Sequence, residues 1–115
     1  MPAHCTAVGK AMFAHAPMAL TRSIVDSGLR RRSPRTILAP NLFLGQLEGV
    51  RRRGFARDVE ESAVGISCVA APVFGADGRP VVAISVIAWA HSLHPTRCVQ
   101  AVRSTASAAS QAFHR

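Results

Sequence analysis

Residues 53–61 read RGFARDVEE and residues 65–73 read GISCVAAPV, and these two stretches decide the fold. They predict a helix that stops at Gly54, a short strand, an acidic turn, and then a buried strand that carries one thiol. This order brings the carboxylate of Asp58 and the thiol of Cys68 close together between apolar walls. No catalytic base, metal-ligand cluster or phosphate-binding loop accompanies them. The pattern therefore favours holding a small molecule over converting it.

The composition is that of one folded domain. The chain has 115 residues, of which 49% are hydrophobic and 17% are charged, so it is rich in core-forming residues and not disordered by composition. The longest apolar run, residues 80–90, is interrupted only by Ser85 and is much shorter than the ~20 residues of a membrane-spanning helix. No basic segment leads into an apolar one at the N-terminus, so no secretory signal is visible. We expect a cytoplasmic protein with no membrane partner.

The net charge of +8 has two readings. A basic surface can bind nucleic acid, and this leaves a basic nucleic-acid-binding domain as one alternative function. However, Arg51, Arg52 and Arg53 close a predicted helix just before Gly54, where cations favour the negative end of the helix dipole. The run from Arg30 to Arg32 follows Gly28 in the same way. Aromatic residues do not interleave with these arginines, so stacking on bases is poorly supported.

The three cysteines, Cys5, Cys68 and Cys98, form neither a disulfide framework nor a zinc-ribbon pattern. We expect reduced and mostly buried thiols. A catalytic Cys68 needs a general base oriented beside it, and a thiol enzyme using Cys68 is kept as the other alternative. A metal site built from His4, Cys5 and Cys68 lacks a ligand spacing that would recommend it. We therefore predict no catalytic residues, no metal site and no cofactor.

The pattern along the chain predicts an α+β fold. Thr6 can cap a first helix that runs to about His15. Pro17 suits the first turn of a second helix, which stops at Gly28. Pro40 and Asn41 open a third helix, which ends at Gly54. Strands are expected over 55–57, 65–74 and 80–88, and the last two should pair as an antiparallel hairpin around the turn GADGR. Pro95 opens a final helix. Phe43, Leu47 and Val50 should form one buried stripe on the third helix. The last helix is expected to cover one side of the sheet through residues that recur at spacings of three and four: Val99, Val102, Ala106, Ala109 and Phe113. Val8 and Met12 share one face of the first helix, and the apolar positions of the second are Leu20, Ile24 and Val25.

The predicted sheet looks incomplete. Both long strands are apolar on both faces, so each face needs a cover, and one hairpin with one short strand makes a thin sheet. The chain also runs almost directly from Met1 into a helix. We therefore expect the C-terminal part of a longer protein, whose isolated form exposes a sheet edge and associates.

Five segments of the chain together resemble the C-terminal effector-binding domain of the IclR family of bacterial transcriptional regulators. Members of that family typically carry H-x-T-A-x-G-K-A, a T-P-R-T-I-like stretch, I-R-x-x-G-Y-A-x-D-x-E-E, G-x-x-C-x-A-A-P-V and A-x-S-V-S-G-P. The matching segments follow in the same order: His4–Ala11, Ser33–Ile37, Val50–Glu61, Gly65–Val73 and Ala83–Val86. The similarity covers nearly the whole chain.

The resemblance implies a GAF-like fold, an antiparallel sheet flanked by helices, that is incomplete at its N-terminus. Residues 1–115 would form the C-terminal part of the effector-binding domain, without the winged helix-turn-helix. Such a domain senses a small organic acid and regulates transcription through rearrangement of a homodimer or tetramer. It would reach operator DNA only through the missing N-terminal domain.

The resemblance also implies a ligand-binding set on the matching positions. Ala7 and Val8 would offer backbone N–H groups at a helix start, which suit a carboxylate. The other members would be Asp58, Ile66, Cys68, Ser85 and Ile87. Ile87 stands where many members have a hydroxyl residue, and Trp89 is expected to fill volume nearby, which favours a larger or aromatic acid.

Four further residues receive structural interpretations. Glu60 and Glu61 are expected to lie in a solvated turn with an ion pair to a nearby arginine. Lys10 is expected to hydrogen-bond within the fold, and His15 to lie at the surface.

Overall fold

The computed structural model describes residues 4–61, 63–89 and 95–113. Four helices flank one three-stranded sheet, in this order along the chain: α1 (Ala7–Phe13), α2 (Met18–Asp26), α3 (Pro40–Arg53), β1 (Ala56–Val59), β2 (Ile66–Phe74), β3 (Pro80–Trp89) and α4 (Pro95–Phe113). The predicted α+β architecture is confirmed.

The helix ends lie where their capping residues predict. The Thr6 side chain accepts a hydrogen bond from Gly9 N at 3.0 Å and caps α1. Pro40 occupies the first turn of α3, where its missing N–H costs nothing. At the other end, Gly54 takes the left-handed conformation (φ 84°), and its N–H bonds Val50 O at 2.8 Å. Local chemistry is sufficient to fix these boundaries.

The sheet has the strand order β1-β2-β3, and both pairings are antiparallel. The predicted hairpin is confirmed, and its register shifts between Val73 and Phe74. The first strand begins at Ala56 and continues to Val59, two residues beyond the predicted end. Asp58 therefore lies inside the β1–β2 ladder.

The two faces of the sheet belong to two separate cores, as strand alternation predicts. On one face, α1 and α3 pack over Ala56, Cys68 and Ala70, with the α3 stripe of Phe43, Leu47 and Val50 fully buried. On the opposite face, α4 packs over β2 through Val102 and Ala106, with Val99 and Ala109 partly buried beside them. The predicted helical cover is confirmed at these positions, and the side chain of Phe113 lies outside the described residues.

Of the apolar positions in α2, Ile24 and Val25 pack against the core, whereas Leu20 is exposed. The buried residue of this helix is Thr21. Within the described ranges, none of the helices has the length and apolar character needed to cross a membrane.

Candidate functional site

Asp58 and Cys68 are direct partners across the β1–β2 ladder. Directly opposed residues of an antiparallel pair project to the same face of the sheet, which here is the face covered by α1. Both side chains are buried, with 2% of Asp58 and 7% of Cys68 exposed. The carboxylate and the thiol are therefore neighbours beneath a helix, as the sequence predicts.

Register places the other predicted strand residues on the same face. Ile87 is the partner of Cys68 on β3, Ser85 is the partner of Ala70, and Ile66 lies two residues before Cys68. The beginning of α1 packs over this face: Ala7 belongs to the same core cluster as Cys68 and Ala70, and Val8 packs against that cluster. All seven predicted residues thus lie around one end of the α1-covered face, which we call the acid–thiol face.

The outer part of this face is open. Ser85 is exposed, Ile87 is 68% exposed and Trp89 is 71% exposed. Trp89 is the partner of Ile66 at the end of β3 and lies on the same face, with most of its indole surface in solvent. Two cavities lined by described residues lie elsewhere, one of about 740 Å³ against α4 and one of about 510 Å³ beside the C-terminal end of α1.

The two buried thiols near Asp58 are held in their neutral form. Burial and, secondarily, the Asp58 carboxylate raise the pKa of Cys68 to about 11, against a smaller lowering by a hydrogen bond with Ser85. Burial also raises the pKa of Cys5, again with a contribution from Asp58. A neutral thiol is a weak nucleophile, so this geometry does not favour thiol catalysis. The prediction of free and mostly buried cysteines is confirmed for the described residues.

A buried ion pair fixes the acidic turn after β1. Lys10 Nζ lies 2.6 Å from Glu61 Oε1 and also donates to Arg57 O at 3.1 Å. Glu61 N in turn donates to Asp58 Oδ1 at 2.8 Å. The expectation for Glu61 is therefore wrong, since it is 6% exposed and paired with a buried lysine. Glu60 fits its expectation, with an ion pair to the exposed Arg35 at 3.0 Å.

The segment before α3 clamps the same turn from outside. The hydroxyl of Ser33 donates to the carbonyls of Glu60 and Glu61, and the hydroxyl of Thr36 donates to the carbonyl of Glu61. The backbone N–H groups of Arg32 and Ser33 donate to Thr36 Oγ1 at 3.0 and 2.9 Å. Lys10, Ser33 and Thr36 thus hold Asp58 in place through the turn. Sequence reasoning did not identify this clamp, although it singled out the SPRTI segment.

The two histidines within the described ranges, His4 and His15, make their observed contacts with groups other than the thiols. His4 Nε2 lies 2.7 Å from Arg30 O, in a buried position. His15 is half-buried at the other end of α1, so the expectation of a surface residue is wrong. Across residues 4–61, 63–89 and 95–113, no three metal-ligating side chains come together in a way that could hold an ion.

Comparisons with known proteins identify the family and the fold. Residues 1–112 match the model of the family described as "Bacterial transcriptional regulator IclR C-terminal". The HTH-type transcriptional repressor AllR of Salmonella typhimurium is 34% identical over 117 residues, which cover 98% of this chain and 43% of AllR.

Two solved structures share the fold. The Thermotoga maritima IclR superposes with a TM-score of 0.89 at 28% identity, covering 98% of this chain and 47% of that one. The inducer-binding domain of PobR from Acinetobacter, solved with 3-hydroxybenzoic acid, superposes with a TM-score of 0.86 at 24% identity, covering all of this chain and 66% of that one. The chain thus spans less than half the length of relatives such as AllR.

Proposed function

The chain belongs to the IclR family of bacterial transcriptional regulators, whose C-terminal domain it matches, and from this we propose that it senses a small organic acid and passes the signal to transcription. The sensing residues are those of the acid–thiol face: Ala7, Val8, Asp58, Ile66, Cys68, Ser85 and Ile87. The protein acts in the cytoplasm.

One observation carries this proposal more than any other. The buried Asp58 carboxylate and the buried, neutral Cys68 thiol lie side by side in register, and the clamp around Glu61 holds the carboxylate in place. A rigid polar pair inside apolar walls provides orientation and specificity for a small ligand. The neutral Cys68 thiol is not an activated nucleophile, so the pair supports binding better than conversion.

The chemistry of the face indicates the class of ligand. The first N–H groups of a helix have no partner within the helix, so the start of α1 at Ala7 and Val8 suits the ligand carboxylate. The carboxylate of Asp58 repels a second anion and accepts a hydrogen bond, so it suits a hydroxyl group of the ligand. Ile66 and Ile87 offer apolar surface. The combination favours a hydroxylated organic acid with an apolar or aromatic body.

Regulation requires that the ligand bind one quaternary arrangement more tightly than another. A difference of ~1–3 kcal/mol in binding free energy between two arrangements of a homodimer or tetramer is sufficient for allosteric control. We propose that α4, which packs on the opposite face of the sheet, transmits this difference between the quaternary arrangements. Operator DNA is contacted by an N-terminal winged helix-turn-helix, outside the matched region.

Isothermal titration calorimetry with 3-hydroxybenzoate tests the binding proposal, because PobR was solved with that acid. We expect measurable affinity, and we expect Asp58→Asn or Ser85→Ala to weaken it about tenfold by removing one partner of a ligand hydroxyl. The matched control is Asp26→Asn on exposed α2, which should leave affinity unchanged. Equal affinity of all the variants would show that the acid–thiol face does not bind this acid.

The two alternative functions are disfavoured by specific contacts. The raised pKa of Cys68 opposes a thiol enzyme. Two arginines of the run before Gly54 contact the protein itself: Arg51 Nη1 donates to Ala14 O at 2.7 Å, and Arg53 lies 5.8 Å from the centre of the Phe55 ring. A steep salt dependence of DNA binding by this chain alone would instead support the nucleic-acid alternative.

A further inference from the structure

A cavity of about 510 Å³ lies between the C-terminal end of α1 and the β2–β3 hairpin. Its volume falls within the ~300–1,000 Å³ of small-molecule sites. It lies toward the other end of α1 from the acid–thiol face. Pro80 at its wall and Ile87 at that face are seven residues apart on β3, roughly 23 Å at the rise of an extended strand, whereas Met12 and Val8 are one helical turn apart on α1. Seven residues line it: Met12, Phe13, His15, Ala16, Pro17, Arg79 and Pro80.

His15 contributes the surface of a fixed ring to this cavity. Its Nε2 is shielded from solvent and has no hydrogen-bond partner among the described residues. The ring packs edge-on against Phe74 with 4.9 Å between the centroids, which fixes its orientation. Burial first, and then the Arg51 guanidinium, lower the pKa of His15, which favours the neutral imidazole. Because Nε2 is shielded from solvent, a ligand in the cavity meets the ring of His15 and not this nitrogen.

Arg79 places a positive charge at the cavity wall. The hairpin turn holds its backbone on both sides: Arg79 N donates to Asp77 Oδ1 at 3.0 Å, and Arg79 O accepts from Gly75 N at 2.8 Å. The guanidinium is therefore carried by a fixed turn, and arginine is well suited to binding carboxylates in two-point geometry. The remaining wall is mostly apolar, from Met12, Phe13 and Pro80.

We propose that this cavity is a second small-molecule site, specific for a compact monocarboxylic acid with an aromatic or branched apolar body. The ligand carboxylate pairs with Arg79 at the mouth. Its apolar body packs against Met12, Phe13 and Pro80 and against the ring of His15. The site is independent of the acid–thiol face, since the two share no lining residue.

Methyl NMR of the chain labelled with 13C-methyl methionine tests this site, with benzoate as the probe. We expect a saturable shift of the Met12 signal, which lines the cavity, and a smaller one for Met18, which is exposed on α2. Benzyl alcohol has the same shape without the charge and should bind about tenfold more weakly, because the charge-assisted hydrogen bond is lost. Equal binding of both probes, or no saturation below roughly 10 mM, would overturn the proposal.

Variants separate this site from the rest of the surface. Arg79→Gln should weaken benzoate binding about tenfold, whereas Arg22→Gln on the exposed side of α2 should not change it. Ala16→Trp fills the cavity and should abolish the Met12 shift. Ser85→Ala on the acid–thiol face should leave the Met12 shift intact. An Arg79→Gln or Ala16→Trp protein that still gives the wild-type Met12 titration would refute the assignment.

Discussion

At the scale of single residues, the Lys10–Glu61 pair decides how the candidate site is held. Both side chains are buried, they are 51 residues apart in sequence, and the pair links α1 to the turn that carries Asp58. Burying two charges costs solvation free energy, which the pair recovers only through close geometry and additional hydrogen bonds. Here those bonds are present: Lys10 Nζ also donates to Arg57 O at 3.1 Å, and Glu61 Oε2 accepts from Val59 N at 3.4 Å.

Lys10→Met should therefore destabilise the chain strongly. It leaves the Glu61 carboxylate buried without its partner, at a cost of about 3–5 kcal/mol in the free energy of unfolding. Arg35→Gln removes the exposed partner of Glu60 and should cost less than about 1 kcal/mol. Urea denaturation measures both. The double variant Lys10→Met/Glu61→Leu should recover much of the lost stability, because it removes both buried charges. If Lys10→Met were no less stable than Arg35→Gln, the buried ion pair would not stabilise the turn.

Cys68 should make stability fall at alkaline pH. The folded pKa of about 11 lies above the ordinary thiol value of 9.0, so the unfolded chain releases its proton first as pH rises. The stabilising contribution is fully present below pH 9 and is lost as pH rises toward 11. In Cys68→Ala the urea midpoint of unfolding should fall less steeply with pH between pH 8 and 10.5 than in the wild type. Cys98→Ala, at a half-buried position, serves as the control, and parallel curves for Cys68→Ala and wild type would count against the assignment.

At the scale of elements, α3 shows how far local chemistry determines structure. Proline in its first turn, a buried stripe at helical spacing and a left-handed glycine at its end define residues 40–54. Each signal acts within a few residues, so tertiary contacts are not needed to locate the helix. The same reasoning located the hairpin through its turn and its two apolar runs.

Two glycine substitutions in and after α3 should have opposite effects. Gly54→Ala forces a non-glycine residue into φ 84° and should cost about 1–2 kcal/mol. Gly45 lies inside the helix, and a Cβ added there would lie in open space. Gly45→Ala should therefore raise the free energy of unfolding by roughly 0.5–1 kcal/mol. Thermal unfolding followed by circular dichroism compares the two. If both variants lost stability to the same extent, the left-handed backbone of Gly54 would not explain the loss in Gly54→Ala.

At the scale of the whole molecule, the sheet is covered unevenly. Helices α1 and α3 cover one face and α4 the other, yet β3 carries exposed apolar side chains at Val82, Ile87 and Trp89. In the described part of the chain, β3 has a neighbouring strand on one side only. An apolar edge strand of this kind promotes pairing with another chain.

The 115-residue chain should therefore associate in a concentration-dependent way. Ile87→Thr should shift the equilibrium toward monomer, because it removes exposed apolar surface from the edge strand. Val64→Thr is the matched control: Val64 is also 68% exposed and branched at Cβ, but it lies in the turn between β1 and β2. Sedimentation velocity measures the distribution, and an entirely monomeric wild-type chain would show the idea to be wrong.

The sequence by itself determined the helix caps, the hairpin, the alternation of faces along β2 and hence the side shared by Ile66, Cys68 and Ala70. These features depend on backbone preferences and periodicities that act over a few residues. The tertiary structure alone decided that Glu61 is buried against Lys10, that His15 turns toward Phe74 and that Trp89 is largely exposed. Those outcomes depend on strand register and on packing between segments far apart in the chain, which no local pattern encodes.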